Sequence, residues 1–467
     1  MQNEKLFDLF QKEQQYLKKI EKDHPQLFKS QLQIDSKETL EKVGIAFPFN
    51  DMPLGYLKYH PFDFIVEEIQ KDQKISTIEF EKNVIEDTDQ QYATIYTDLV
   101  KIGISTIDAV NELATLLNIA PEKIGNAGIK DQNAVTGQKI SIRGVPLEKV
   151  QNIKPKNFFL KNLELGKGAI QIGNLAGNRF TIFIRTKEHI SQKQIEAHIK
   201  KVEEKGFWNF YWLQRFGNRL MSHYWGLFLM QGDYEKCVHS YFCDIGDRDL
   251  EFFKQLRKQA QKYYGNWQDL YKLFQKLPYS LRYELLMLEH LMDNPKDFTG
   301  ALNKVPDQIR LWVYAYASYL FNSLLSYYAT ENVKCPKTLP LVLSMNSADQ
   351  KPYEAFLSAD KVPLKFGLNL KPFPYVRLSS RQINSQMNYE ILGVKSLDEG
   401  IVISFSLDKG SYATTFLAHL FTLTGGVPIP DWLNDQKYDF KKLLDAGSIK
   451  DTYQYLEQYI VEREDII

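Results

Sequence analysis

Between Ser105 and Val145 the spacing of apolar residues changes from one period to another. Ile107, Val110, Leu113 and Leu117 recur at helical period behind Ser105-Thr106-Ile107-Asp108, which has the spacing of a capping box, so a helix is predicted to end near Asn118. Lys139-Ile140-Ser141-Ile142-Arg143-Gly144-Val145 then alternates polar and apolar residues, as a half-buried strand does. A chain that switches period in this way mixes helix and sheet. The polar stretch Ala127 to Gln138 is read as the loop joining the two, and loops held by rigid elements are where catalytic side chains tend to sit. It carries one acid, Asp131, in otherwise apolar surroundings, and Asp131 is the candidate reactive group.

A chain of 467 residues is too long for one ordinary core, so two domains with terminal extensions are expected. The 44% hydrophobic fraction supplies those cores. Lys plus Arg (58) equals Asp plus Glu (58), which argues against a protein that coats nucleic acid through overall charge but leaves room for a local basic surface. Cys237, Cys243 and Cys335 form neither a disulfide framework nor a C-x-x-C zinc pair. No signal core opens the sequence and no run reaches membrane-spanning length, so a soluble, cytoplasmic protein is expected. Walker loops, Rossmann glycine patterns, metal clusters and Ser-His-Asp orders are absent, which favours a reaction without cofactor or metal.

Residues 1 to about 40 read as an accessory helix with Leu6, Phe7, Leu9, Phe10, Tyr16, Leu17 and Ile20 loosely on one face. After Pro48, Pro53 and Gly55, the stretch Tyr56 to Ile69 reads as a turn feeding a strand that places Phe64 and Val66 on one face. Residues 92 to 100 and 178 to 185 read as further strands, and Gln192 to Glu204 as a helix. Between Lys139 and Gly168, Lys139, Arg143, Lys149, Lys154, Lys156, Lys161 and Lys167 face only Glu148 and Glu164; this is either a phosphate-tracking surface or a solvated charged face. Asn209-Phe210-Tyr211-Trp212-Leu213-Gln214-Arg215-Phe216-Gly217 offers a ring for stacking, an amide for a pyrimidine edge and a guanidinium for phosphate; read bare, it is rather an aromatic core segment with a salt-bridged Arg. From about residue 233 long helical stretches take over, with a basic segment at Lys254, Arg257, Lys258, Lys262, Lys272 and Lys276 that suits either RNA backbone or helix packing. Ile401 to Leu407 reads as a strand that turns through Gly410-Ser411-Tyr412-Ala413-Thr414 into a helix reaching Phe421, and Leu443 to Tyr459 as a terminal amphipathic helix.

Four of these stretches, in this order, resemble the signatures of the TruD family of RNA pseudouridine synthases: K-x-x-P-x-DF-x-V-x-E at Lys58 to Glu68, AG-x-KD-x-x-AVT-x-Q at Ala127 to Gln138, the N-[YF]-[FY]-G-x-QRFG pattern at Asn209 to Gly217, and GS-[FY]-AT at Gly410 to Thr414. The resemblance implies an α+β fold, a largely antiparallel curved sheet with flanking helices carrying an inserted TRUD domain. It implies Asp131 as catalytic aspartate. Lys58 and Phe64 would border the active site; Phe64, Tyr211 and Tyr412 would wall the uridine pocket, with Asn209 on the uracil edge and Arg215 on phosphate. Either Lys58 or Lys130 would pair with Asp131. The implied partner is tRNA or another structured RNA, bound by a monomer without cofactor or metal. The expected domains are a helical extension over 1–45, a catalytic domain over 46–232 and 391–430, an inserted domain over 233–390 and a helical extension over 431–467.

The sequence departs from the pattern mildly at Tyr211, where the family usually has Phe, and more sharply at two further places. Trp212 stands where the family usually has Gly, and Gln132 and Asn133 are neutral where it often has basic residues. These departures motivate a second reading, a catalytically inactive RNA-binding or folding module with the same fold. Retention of Asp131, Lys58 and Asn209 favours the enzyme.

Overall fold

The computed structural model describes residues 2–46, 52–80, 94–331, 333–434 and 436–460. Pro48 and the first two residues of the strand expected over 92–100 lie outside them, as do the side chains of Leu6 and Phe7. The chain divides into two compact units, one of residues 1–31, 35–48 and 208–385, the other of 32–34, 49–207 and 386–467. The change of texture at residue 233 falls inside the first unit.

The second unit is built on a mixed, mostly antiparallel sheet of twelve strands among the described residues. Its central order runs Leu54–Tyr56, Gly177–Thr186, Phe64–Ile69, Val135–Arg143, Thr94–Ile102, Phe158–Gly166. Gly400–Asp408 also pairs with Gly177–Thr186 and carries Tyr389–Leu397 on its outer side. Phe64–Ile69 and Val135–Arg143 run parallel, with Ile65 opposite Val135. Thr94–Ile102 is antiparallel to the second of these and ends with Ile102 opposite Val135. The chain leading into both parallel strands and the chain leaving Thr94–Ile102 therefore reach the same end of the sheet.

Helix Thr106–Leu117 covers one face, packing Ala109, Val110, Leu113, Ala114 and Leu117 on Ile95, Leu99, Ile140 and Ile142. Ser105 caps it by accepting from the Asp108 amide, and Asn118 ends it in the left-handed region, as the spacing predicts. Ile107 does not join that face; it is 56% exposed. On the other face Ile65, Val100, Ile102, Val135 and Phe159 pack with Ile449 and Leu456. Because both faces are covered, Val135–Arg143 is buried along nearly its whole length, not half-buried as its alternation suggests.

The expected terminal helix over Leu443 to Tyr459 is instead two short helices, Phe440–Leu443 and Lys450–Leu456, followed by a 3-10 turn. Asp445 and Gly447 between them adopt positive φ, which an α-helix does not accommodate. Lys441, fully buried, binds Glu67 on Phe64–Ile69 at 2.6 Å, and Thr452 donates to the Ile78 carbonyl. This segment is part of the sheet's core. Helix Ala413–Ala418 likewise stops short of Phe421, where chain enters strand Thr422–Gly425.

The first unit is mostly helical, with one two-stranded sheet of Thr338–Pro340 and Gln382–Asn384. Its longest helix, Pro306–Thr330, lies so close to Ser222–Gln231 that a Cβ on Gly226 would stand 2.0 Å from the Trp312 carbonyl oxygen, so only glycine fits there. Trp225, Tyr241 and Trp312 pack around that crossing. Arg257, in the basic segment read as suiting either RNA backbone or helix packing, is buried and paired with Glu284 at 2.8 Å; Lys258, Lys262, Lys272 and Lys276 stay exposed.

Candidate active site

The loop bearing Asp131 leaves a three-residue strand, Ile124–Asn126, in a stretch after Asn118 to which the sequence reading assigned no element, and it enters Val135–Arg143. Buried side chains hold it by its main chain. Thr106 Oγ1 accepts from the Lys130 amide at 2.9 Å and donates to Gln138 Oε1 at 3.0 Å, while Gln138 Nε2 donates to the Gly128 carbonyl at 3.1 Å. The glutamine of the AVT-x-Q pattern is thus a loop brace. Gly173 N donates to the Ala127 carbonyl at 2.7 Å and steadies the loop's first residue.

Lys58 reaches this loop from the chain entering the parallel strand. Its Nζ donates to Asp131 Oδ2, and the ammonium stands 4.4 Å from the Phe64 ring centroid. Lys58 holds φ +59, a left-handed conformation that costs a non-glycine residue about 1 to 2 kcal/mol; such cost is tolerated where surrounding contacts fix the residue. Those contacts are visible. Asp63 caps the Pro61–Asp63 turn with His60 and accepts from Arg185 Nε at 2.9 Å and Nη2 at 3.0 Å, with both side chains buried. The aspartate of the DF pair anchors the turn, and the phenylalanine, 3% exposed, forms the floor under Lys58.

Lys130 turns the other way. Its Nζ lies 2.7 Å from buried Glu68 Oε2 and 2.7 Å from Asn178 Oδ1, so Lys58 is the lysine on the Asp131 carboxylate. The Asp131 side chain is 43% exposed. An ionised carboxylate open to solvent, one cation on one oxygen and an apolar floor beneath can attack an electrophilic carbon or take a proton.

Tyr412, half-buried, precedes helix Ala413–Ala418 in the same unit. The turn before it is tied by Lys409 N to the Ala176 carbonyl at 3.0 Å. Asn209, Tyr211 and Arg215 belong to the other unit. There Asn322, from Pro306–Thr330, accepts from the Tyr211 amide at 2.9 Å and donates to the Tyr211 and Val43 carbonyls at 2.9 and 3.0 Å. Asn209 Nδ2 donates to the Asn384 carbonyl at 3.0 Å. Arg215 Nε donates to Ser318, and the guanidinium lies 5.4 Å from the Tyr211 ring centroid and 5.8 Å from that of Tyr314. Trp212 is buried, and its Nε1 donates to Asp35 at 2.8 Å, which Arg248 also contacts. Burial raises the Asp35 pKa against the pull of the Trp212 hydrogen bond and of Arg248. The bulk that replaces glycine is therefore taken up by a polar partner inside the unit.

Of the basic run between Lys139 and Lys167, Lys139 is turned inward between Asp98 and Glu164, and Lys161 is buried on Thr77. Arg143, Lys149, Lys154, Lys156 and Lys167 remain exposed, with Phe158 and Phe159 in the core. No group of three or more His, Cys, Asp or Glu suited to a metal occurs among the described residues. No helix of the described residues is long and apolar enough to cross a membrane.

Residues 51–361 match the family model described as tRNA pseudouridine synthase D (TruD). The chain belongs to the TruD family. Among the TruD relatives, "Probable tRNA pseudouridine synthase D" of Methanococcoides burtonii is 31% identical over 253 residues, covering 52% of this chain and 56% of that protein. The protein of the same name from Methanosarcina barkeri is 28% identical over 444 residues, 81% of this chain and 96% of its own length. A crystal structure of a TruD protein from Methanosarcina mazei superposes with a TM-score of 0.63 at 24% identity, covering 82% of this chain and 97% of that one. The chain thus has the TruD fold, α+β around a large mixed sheet. Tyr412 lies outside the matched span.

Sequence reasoning named Asp131, Lys58 and Phe64, which the structure brings together. It missed Thr106, Gln138 and Lys101, which hold the Asp131 loop, and Glu68 and Asn178, which draw Lys130 away from Asp131. Gln138 was inside a quoted motif, and Lys101 interrupts the apolar run Leu99-Val100-Lys101-Ile102, where a lysine is buried only with a reason.

Proposed function

We propose that this member of the TruD family isomerises a specific uridine of tRNA to pseudouridine, with Asp131 as its reacting carboxylate. The contact of Lys58 with Asp131 over the Phe64 ring carries this reading. The reaction breaks the bond from the ribose anomeric carbon to the ring nitrogen, turns the uracil, joins carbon 5 to the ribose, and replaces the proton lost from carbon 5 with one on the ring nitrogen that the ribose has left. Asp131 attacks the anomeric carbon or removes a neighbouring ribose proton; both routes need the anion, whose charge Lys58 offsets. The sugar is out of reach in a stacked helix, so the nucleotide is extruded before it reacts.

Phe64 and Tyr412 are proposed as apolar walls for the base. Tyr211 is proposed to stack on uracil, Asn209 to read its edge and Arg215 to contact phosphate, on the strength of their motif and of the bonds that fix the Tyr211 main chain. The reading takes the enzyme as a cytoplasmic monomer whose inserted domain grips RNA backbone. The test is to incubate the protein with unmodified tRNA transcripts and map pseudouridine chemically. One modified position is expected, and the map names it. Tight tRNA binding with a blank map would instead select the inactive RNA-binding module.

A further inference from the structure

Lys101 is 0% exposed on strand Thr94–Ile102, where the facing residues on the neighbouring strands are Thr136 and Phe158. Its Nζ donates to two carbonyl oxygens, Ile104 at 2.8 Å and Asp131 at 2.7 Å. Buried Lys130, Lys139 and Lys441 each have a carboxylate partner; Lys101 has none within ion-pairing distance among the described residues. Burial chiefly, with repulsion from Lys130 and Lys58, pulls its pKa down to about 8 against the attraction of Asp131 and Asp108. An unpaired buried cation is costly, and an apolar side chain would fill the place more cheaply. What the lysine does that methionine could not is grip the main chain of Asp131 while Lys58 holds its side chain.

We propose that Lys101 is a positioning residue for the isomerisation, fixing the Asp131 backbone through its carbonyl and adding a second positive charge behind the carboxylate, so that Asp131 meets the ribose in one orientation. The proposal rests on Asp131 being the reacting group. A charge buried behind the loop acts on the chemical step and not on RNA capture, because it has no solvent-facing surface for phosphate.

The test uses full-length Lys101→Met and Lys101→Arg with unmodified tRNA transcript in single-turnover assays across pH. Lys101→Met is expected to react about 100-fold more slowly, the scale on which one preorganised donor acts, with tRNA affinity within two-fold of the parent as roughly expected for a step-specific effect. The parent's rate should fall as pH rises past about 8, where the ammonium discharges, and that fall should be missing in both variants because neither side chain titrates there. Lys101→Arg should recover part of the rate. Parent-like speed in Lys101→Met, or an unchanged alkaline fall in Lys101→Arg, overturns the proposal. Should neither variant fold, a parent rate that is flat through this pH range overturns it equally. An active Asp131→Asn would sink the reading beneath it; an inactive Asp131→Asn beside a fully active Lys101→Met sinks this inference alone.

Discussion

Lys58 Nζ donates to Asp131 Oδ2 across 73 residues of chain, from a residue at φ +59. The parallel pairing of Phe64–Ile69 with Val135–Arg143 makes the meeting possible, since it sets the chain before each strand at one end of the sheet. Lys58→Met should leave fold and tRNA binding intact and slow the chemical step by roughly 100-fold or more, about 2.7 kcal/mol of barrier. Single-turnover rates with saturating enzyme measure this. A parent-like rate would mean that the contact is an incidental surface pair.

Tyr211 is fixed by its main chain, so its ring can change without disturbing the local path. Tyr211→Phe should keep most activity, and Tyr211→Ala should lose stacking of about 1 to 3 kcal/mol. If the alanine variant turned over as fast as the parent, the ring that packs on Phe321 would be core and nothing else.

Neutralising exposed Lys258, Lys262 and Lys272 together should weaken tRNA binding and flatten its dependence on salt, by roughly 0.7 to 0.9 in the logarithmic slope for each phosphate that a lysine no longer neutralises. Arg257 is left alone because its pairing with Glu284 is internal. An unchanged slope would direct the RNA to the exposed Lys154, Lys156 and Lys167 instead.

What the sequence disclosed, and what it hid, follows from how each signal is made. Helix Thr106–Leu117 was legible because capping and one-sided burial act within a dozen residues. The strand after Asp131 was found but misjudged as half-buried, because local alternation cannot report a second covering layer such as Ile449 and Leu456. The broken C-terminal helix was missed because Asp445 at positive φ carries no obvious mark. At the site, motif residues could be named, whereas the choice between Lys58 and Lys130 needed Glu68 and Asn178, partners fixed only by strand register. Trp212 looked like a defect until Asp35 was seen beside it.

His419 is fully buried, with its Nδ1 on the Thr415 carbonyl at 2.8 Å, and burial lowers its pKa to about 4. A depressed folded-state pKa means that the unfolded chain takes up the proton first, so stability is complete above about 6.5 and is lost as pH falls toward 4. The loss attributable to this residue is roughly 3 kcal/mol. Denaturant unfolding at pH 7.5 and pH 4.5, as rough brackets of that window, should therefore differ less in His419→Gln than in the parent. An equal difference would assign the acid sensitivity elsewhere, with His198 and His223, whose pKa values burial also lowers, the next to examine.

The last prediction concerns Asp131, on which the proposed chemistry depends. Its carboxylate is the acid that Lys58 reaches, its main chain is the one that Lys101 holds, and its loop is braced by Thr106 and Gln138. Asp131→Asn keeps the size and most of the hydrogen bonding but removes the anion that attack on ribose or proton removal requires. Because the side chain is part-exposed and the braces act on neighbouring main chain, the variant should fold and melt like the parent, within about 0.5 kcal/mol. It should bind unmodified tRNA as tightly as the parent and form no detectable pseudouridine. Turnover of even a few per cent in a long single-turnover assay, with contaminating enzyme excluded, would move the reacting group to another acid of this unit. The match to the family would then extend to fold and not to mechanism.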